Sequence, residues 1–221
     1  MVRQSFSEQL AELQNMLLQM GEQVDTAIER ALEALSSQDT DLAHQVIAGD
    51  EPINKAHRDI EERSLVLIAT QQPTAGDLRT IIAISNIATE LERIGDYAEG
   101  VARITLRIAN QPLVKPLIDI PRMVQLDREL LKGQLEAFVQ RDAARAEELA
   151  GRDDEVDAIY DQVYNELLFF MVSDPRTITR ATHLLWVAHD LERIADRTTN
   201  IGERTVYLVT GEVKELNLKP Q

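Results

Sequence analysis

Hydrophobic residues along this chain recur every three or four positions, the spacing that lays one apolar stripe along an α-helix rather than the alternation of a strand. Leu10, Leu13, Leu17, Met20, Val24, Ile28 and Leu35 predict a first helix over about residues 7–36. After the polar turn SSQDTD, Ile53, Ile60 and Leu67 mark the inner face of a second helix that ends before Pro73. Pro52 lies within it. Lacking an N–H and crowding the preceding turn, it predicts either a kink or the first turn of a fresh segment after Gly49. Leu78, Ile81, Ile84, Ile87, Leu91, Ile94, Ala98 and Val101 then predict a third helix over about residues 74–110, closed by the proline-punctuated stretch QPLVKPLIDIP.

The same plan follows again, with helices expected over about residues 120–139, 143–172 and 177–209. LERIGDYAEGVA begins at Leu91, and LERIADRTTNIG begins at Leu191. Helices two and five match at an offset of 103 residues: Asp39 with Asp142, Ala43 with Ala146, Asp50 with Asp153, and Asn54 with Asp157. Beyond the loops at Pro73 and Pro175 the offset is 100, so one small deletion in the second loop reconciles the halves. The chain is a repeat of a three-helix unit. The expected fold is all-α, two tandem similar three-helix bundles of six long helices. Residues 1–111 form the first repeat, residues 117–212 the second, and residues 213–221 a C-terminal tail.

Composition narrows the function. Aromatics make up only 4% of the 221 residues, so Leu, Ile, Ala and Val must fill the core, as in helical bundles. The absence of cysteine removes disulfides, zinc-thiolate sites and cysteine nucleophiles. A net charge of -15 opposes nucleic acid and anionic lipid, and favours cations and basic protein surfaces. The longest apolar run, LLFFMV, is far shorter than the ~20 residues a membrane span needs, so no membrane insertion is expected and the protein is placed in the cytoplasm.

The repeated helix carries the candidate chemistry. Asp96 and Glu99 each point within about 40° of Glu92, on a flank about 120° from the apolar stripe. If helices two and three fold back at Pro73, residues equally distant from the turn are neighbours, which sets Asp50 and Asn54 beside Glu92 and Asp96. The same construction about Pro175 sets Asp153 and Asp157 beside Glu192 and Asp196, with Asn200 and Glu203 one and two turns further along. Like charges spaced four apart cost a helix ~0.2–0.5 kcal/mol, and facing pairs add to that. Oxygen donors of this kind suit magnesium, manganese, iron or calcium, and carboxylates also hold zinc. Solvation, or pairing with Arg93 and Arg193, is the competing account.

The paired LERIGD and LERIAD, with NIGE and with QQPTAGDLR after helix two, resemble the PhoU family over essentially the whole chain. The resemblance implies two similar three-helix bundles and a negative regulator of phosphate uptake. Such a regulator works with the ATPase subunit of the phosphate ABC transporter and with a phosphate-sensing histidine kinase. It implies metal clusters, including multinuclear iron, on E(D)XXXD motifs that map here onto Asp50 and Asn54, Glu92 and Asp96, Asp153 and Asp157, and Glu192 and Asp196. The expected cofactors are therefore divalent or trivalent ions, iron, zinc, magnesium or manganese, and a homodimer is expected. Asn54, where an acid is expected, and Pro52 beside it depart from the pattern.

No GxxxxGK[ST], GxSxG, HExxH or Glu-x-x-His arrangement occurs, so the reading is not an enzyme. A metalloenzyme acting on a phosphorylated small molecule is the alternative. Trp186, in THLLWVA, is expected in the core or under a partner helix. The halves differ at three further places: Gly100 stands where Asn200 does, Arg103 where Glu203 does, and Glu99 where Thr199 does. A fixed positive charge from Arg103 predicts weaker cation binding in the first half.

Overall fold

The computed structural model describes residues 2–216, with side chains from residue 6 onward. Among the described residues seven α-helices follow in order: α1 (Val2–Ser37), α2 (Thr40–Gln71), α3 (Ala75–Ile108), α4 (Asp119–Gln140), α5 (Ala143–Ala150), α6 (Asp153–Ser173) and α7 (Ile178–Thr210). A 3₁₀ turn, Pro175–Thr177, precedes α7. α1, α2 and α3 form one three-helix bundle, and α4, α5 with α6, and α7 form the second. The two bundles are tandem copies of one plan. The far end of the tail, residues 217–221, lies outside the described residues.

The turns show why the chain reverses where it does. Gln38 and Arg141, both left-handed with φ of 54°, end α1 and α4. Asp39 and Asp142 follow, and each caps the next helix by accepting a backbone N–H, from Leu42 and Arg145, at 2.9 Å. One turn design thus serves both repeats.

Helix five departs from expectation. Instead of one element over residues 143–172, α5 stops at Ala150 and α6 starts at Asp153. Gly151 lowers helix propensity at the break, and Asp153, Asp154 and Glu155 fill the first turn of α6, where the helix dipole favours acids. In the first half the break corresponds to Ala48 and Gly49, and there α2 continues as one helix through Pro52 three residues on. Both repeats therefore interrupt the regular hydrogen-bond ladder beside the acidic pair, one by a missing N–H and one by a break.

One large apolar core runs through both bundles, with a small separate cluster of Ala137, Ala146 and Val206 in the second. α3 and α7 pack most extensively, and α1 packs on α4. Only about 10 Å³ of open space remains where Ile28, Ala98, Val124 and Leu191 meet, on the order of one water or less. Around this seam Arg128 donates to both oxygens of Asp25, at 2.8 and 3.0 Å, and to Glu29 at 2.6 Å. Lys132 adds a 3.1 Å pair to Asp25. Burial would raise the Asp25 carboxyl, but these cations hold it below its usual range. The connection between bundles is pinned by Lys115, which bonds Asp119 at 3.1 Å and Glu166. Arg180 adds a bond to the Pro112 carbonyl at 2.8 Å.

Equivalent acids on the seam have different fates. Glu90 of α3 accepts from Asn200 at 3.1 Å and from Arg197 at 3.4 Å, both on α7. Its counterpart Asp190 faces Gly100, where a Cβ would lie 2.7 Å from Oδ2, so only glycine leaves room for that carboxyl. Burial lifts Asp190 from 3.8 to about 7.

A raised folded-state value means that the cost of burying the Asp190 charge is absent at low pH. It grows as pH rises through the carboxylate range and is complete above 7. Asp190→Asn removes this cost. In chelator, the variant is expected to melt above the parent at about pH 8, with the gap narrowing toward about pH 4. Melting curves across this range check it; a gap independent of pH would contradict the assignment.

Candidate functional site

α2 and α3 build the first acidic cluster. Asn54 sits one turn after Asp50 and donates its amide to Asp50 Oδ2 at 2.5 Å. Gly95 of α3 lets the two helices approach: a Cβ there would lie 3.3 Å from Ile53 and 3.5 Å from Asp50 Oδ1. Asp50 thereby comes into the field of Asp96 and Glu99. Its carboxyl is raised by burial first, then by those two acids, against the Asn54 bond. Asp96, at the outer rim, is raised by partial desolvation and then by Glu92 and Glu99, with Arg93 opposing. Arg103 bonds Glu99 at 2.5 Å, and Asp50 lies in its field, so the positive charge expected over this cluster is present. Asp50 Oδ1 and Asn54 Oδ1 are both buried without a hydrogen-bond partner.

The second cluster is arranged differently. Asp153 opens α6 and is only 4% exposed; Asp157 follows one turn later. Tyr160, three residues beyond, is raised by burial and then by Glu192 of α7, which places Glu192 across from this stretch of α6. Glu192 also lies 3.8 Å from His189 Nδ1. Asp196 is held by Arg193 at 2.7 Å. Asn200 turns its amide to Glu90 across the seam, and Glu203 accepts the backbone N–H of Leu216 at 2.9 Å. The last two expected members thus serve α3 and the segment after α7. Among the described residues, no three Asp, Glu or His side chains converge on one point as a ready-made metal cage.

Trp186 is not in the core, the first of its two expected places, and one acid that carried no expectation is. Trp186 is 56% exposed, with its ring edge-on to His189 at 5.8 Å between centroids. The apolar stripe of α7 passes through Leu184, Val187, Ala188 and Leu191, so position 186 falls outside it. Asp127 of α4, by contrast, is fully buried, with no partner for either carboxyl oxygen. Burial first, and then Asp153, push its carboxyl well above the usual range. The sequence carried a signal for it: at the offset of 103 its counterpart is the core residue Val24, so an acid occupies a core position of the stripe.

The PhoU domain family matches residues 17–105 and again residues 120–205. The phosphate-specific transport system accessory protein PhoU homolog of Clostridium acetobutylicum is 38% identical over 218 residues, covering 98% of this chain and all of that protein. The Aquifex aeolicus homolog of the same name is 40% identical, covering 93% of each chain. Crystal structures of PhoU from Pseudomonas aeruginosa and of the phosphate transport system regulatory protein PhoU from Streptococcus pneumoniae superpose with TM-scores of 0.89 and 0.88. They are 36% and 33% identical, covering 94% and 95% of this chain and 100% and 99% of theirs.

The electrostatics of the first cluster make a prediction independent of any ligand. In chelator at neutral pH and low salt, Asp50→Asn relieves repulsion with Asp96 and Glu99 and should stabilise the fold by ~0.5 kcal/mol, less in high salt. Asn54→Asp should destabilise it by a similar amount. Urea titrations read both signs, and a destabilised Asp50→Asn protein would contradict the account.

Proposed function

This chain belongs to the PhoU family, and on that footing we propose that it is a metal-binding regulatory adaptor that restrains phosphate uptake and phosphate-starvation signalling. Curated relatives of nearly equal length carry the name of accessory protein to a phosphate-specific transport system. The partners are the transporter's ATPase subunit and the phosphate-sensing histidine kinase. The protein acts in the cytoplasm; among the described residues, no helix is long and apolar enough to cross a membrane.

One observation carries the metal reading. α2 and α3 set Asp50, bonded to Asn54, in the field of Asp96 and Glu99, and two buried acceptors there, Asp50 Oδ1 and Asn54 Oδ1, lack a donor. A hard cation supplies positive charge to exactly such oxygens, offsetting both repulsion and desolvation. Asp50, Asn54 and Glu99 hold it in the first half, with Asp96 and Glu92 toward the rim. Asp153, Asp157, Glu192 and Asp196 hold it in the second. Metal binding then ties each outer helix to its central helix, and the adaptor needs no catalytic group.

Docking has its own support. Leu65 and Val66 of α2, and Leu168 and Phe169 of α6, occupy equivalent positions in the two repeats and are exposed, at 68% and 69% for Leu65 and Phe169. Apolar side chains left in water on both repeats suit protein partners, a second copy of this chain included.

Deleting the gene should derepress phosphate-starvation genes under phosphate excess, and the wild-type copy should restore repression. A normal phosphate response in the deletion strain, with no second copy present, would defeat the regulatory reading. Elemental analysis of protein purified without chelator or affinity-tag metal should find bound iron, zinc, magnesium or manganese, reduced by Asp50→Ala and by Asp157→Ala.

A further inference from the structure

Asp127 lies in the interior, fully buried and without a hydrogen-bond partner on either oxygen. Its repeat counterpart, Val24, is equally buried, so the position faces the core of its bundle in both halves. The charged group in its field is a second carboxylate, Asp153, at the first residue of α6. An ionised carboxylate so placed is costly. Protonation removes the charge but leaves an O–H and a carbonyl oxygen that still require partners, and the surrounding protein supplies none. A cation answers both needs, because it satisfies the oxygens and reverses the repulsion between the two acids.

We propose that Asp127 is an inner ligand of the second-half cation site, holding a hard divalent ion together with Asp153 between α4 and α6. The proposal rests on the metal reading of the second cluster and adds to it a ligand from a third helix. The first half, with Val24 in the same place, has no inner ligand and binds at the helix flank alone. The halves are therefore unequal sites, one reaching into the bundle interior and one confined to its surface.

The test uses the full chain and Mn²⁺, followed by calorimetry and electron paramagnetic resonance, in an Asp50→Ala/Asp96→Ala background that silences the first half. Adding Asp127→Asn, which preserves shape, or Asp127→Val, which copies the other repeat, should each weaken Mn²⁺ binding about tenfold or more. Asp127→Val should also raise the melting temperature in chelator while shrinking the shift that Mn²⁺ produces. Unchanged Mn²⁺ affinity in both Asp127 variants would overturn the assignment. If binding were nevertheless lost in Asp157→Ala/Asp196→Ala, the flank site would stand and the inner ligand alone would fall, with a buried water as the occupant beside Asp127. Wild-type protein that takes up no Mn²⁺ in either half would sink both readings.

Discussion

The packing of α3 against α7 constrains everything else in this molecule. Each is the central helix of its bundle, so it must be apolar toward two partners of its own repeat and toward the other central helix. Their buried stripes are correspondingly wide, taking in Ile81, Ile84, Ile87, Leu91, Ile94 and Ala98 on α3 and Leu184, Val187, Leu191, Ile194 and Ile201 on α7. Burying one such aliphatic side chain contributes about 1.5–3 kcal/mol, so the seam joins the repeats into one body. Polar groups that fall on the seam must find partners across it. Asn200 and Arg197 meet Glu90. Asp190 finds only the space left by Gly100 and is pushed toward neutrality.

With their inner faces committed, α3 and α7 have only their outer flanks left for chemistry. There each meets the preceding long helix of its own repeat, and the acidic letters of the repeated motif come to lie along that groove. The cost of crowding carboxylates is visible in the raised Asp50 and Asp96. The two repeats meet it in different ways. In the first, Asn54 donates to Asp50 and Arg103 to Glu99, yet two oxygens stay without donors. In the second, Arg193 takes Asp196, while Asp153 lies further inside, next to Asp127. Both repeats also interrupt the hydrogen-bond ladder beside the acidic pair, the first by the N–H that Pro52 lacks within a continuous α2 and the second by the break at Gly151.

Duplication explains how such differences arise without loss of the fold. Val24 and Asp127 occupy one buried place in two copies of the same bundle. Exposed Leu65, Val66, Leu168 and Phe169 show the opposite pattern, in which both copies keep an apolar pair in water where packing does not require it.

Helical periodicity and the offsets of 103 and 100 determined the all-α class, the two-bundle plan and the approach of Asp50 to Asp96, because a helix's facing residues and a tight turn's register follow from spacing alone. Asp39 and Asp142 were legible as loop residues, and their capping role follows from their chemistry. The division of helix five was not legible in the apolar stripe, since Val156, Ile159, Val163 and Leu167 continue it in register and only local propensity at Gly151 and the acids after it breaks the ladder. Trp186 depended on rotation about the α7 axis, which a short run such as THLLWVA does not specify. The partners of Asn200 and Glu203, the surroundings of Asp190 and the depth at which Asp127 lies belong to the tertiary structure alone. They are set by contacts between helices far apart in the chain, and a carboxylate's environment is a property of everything packed around it.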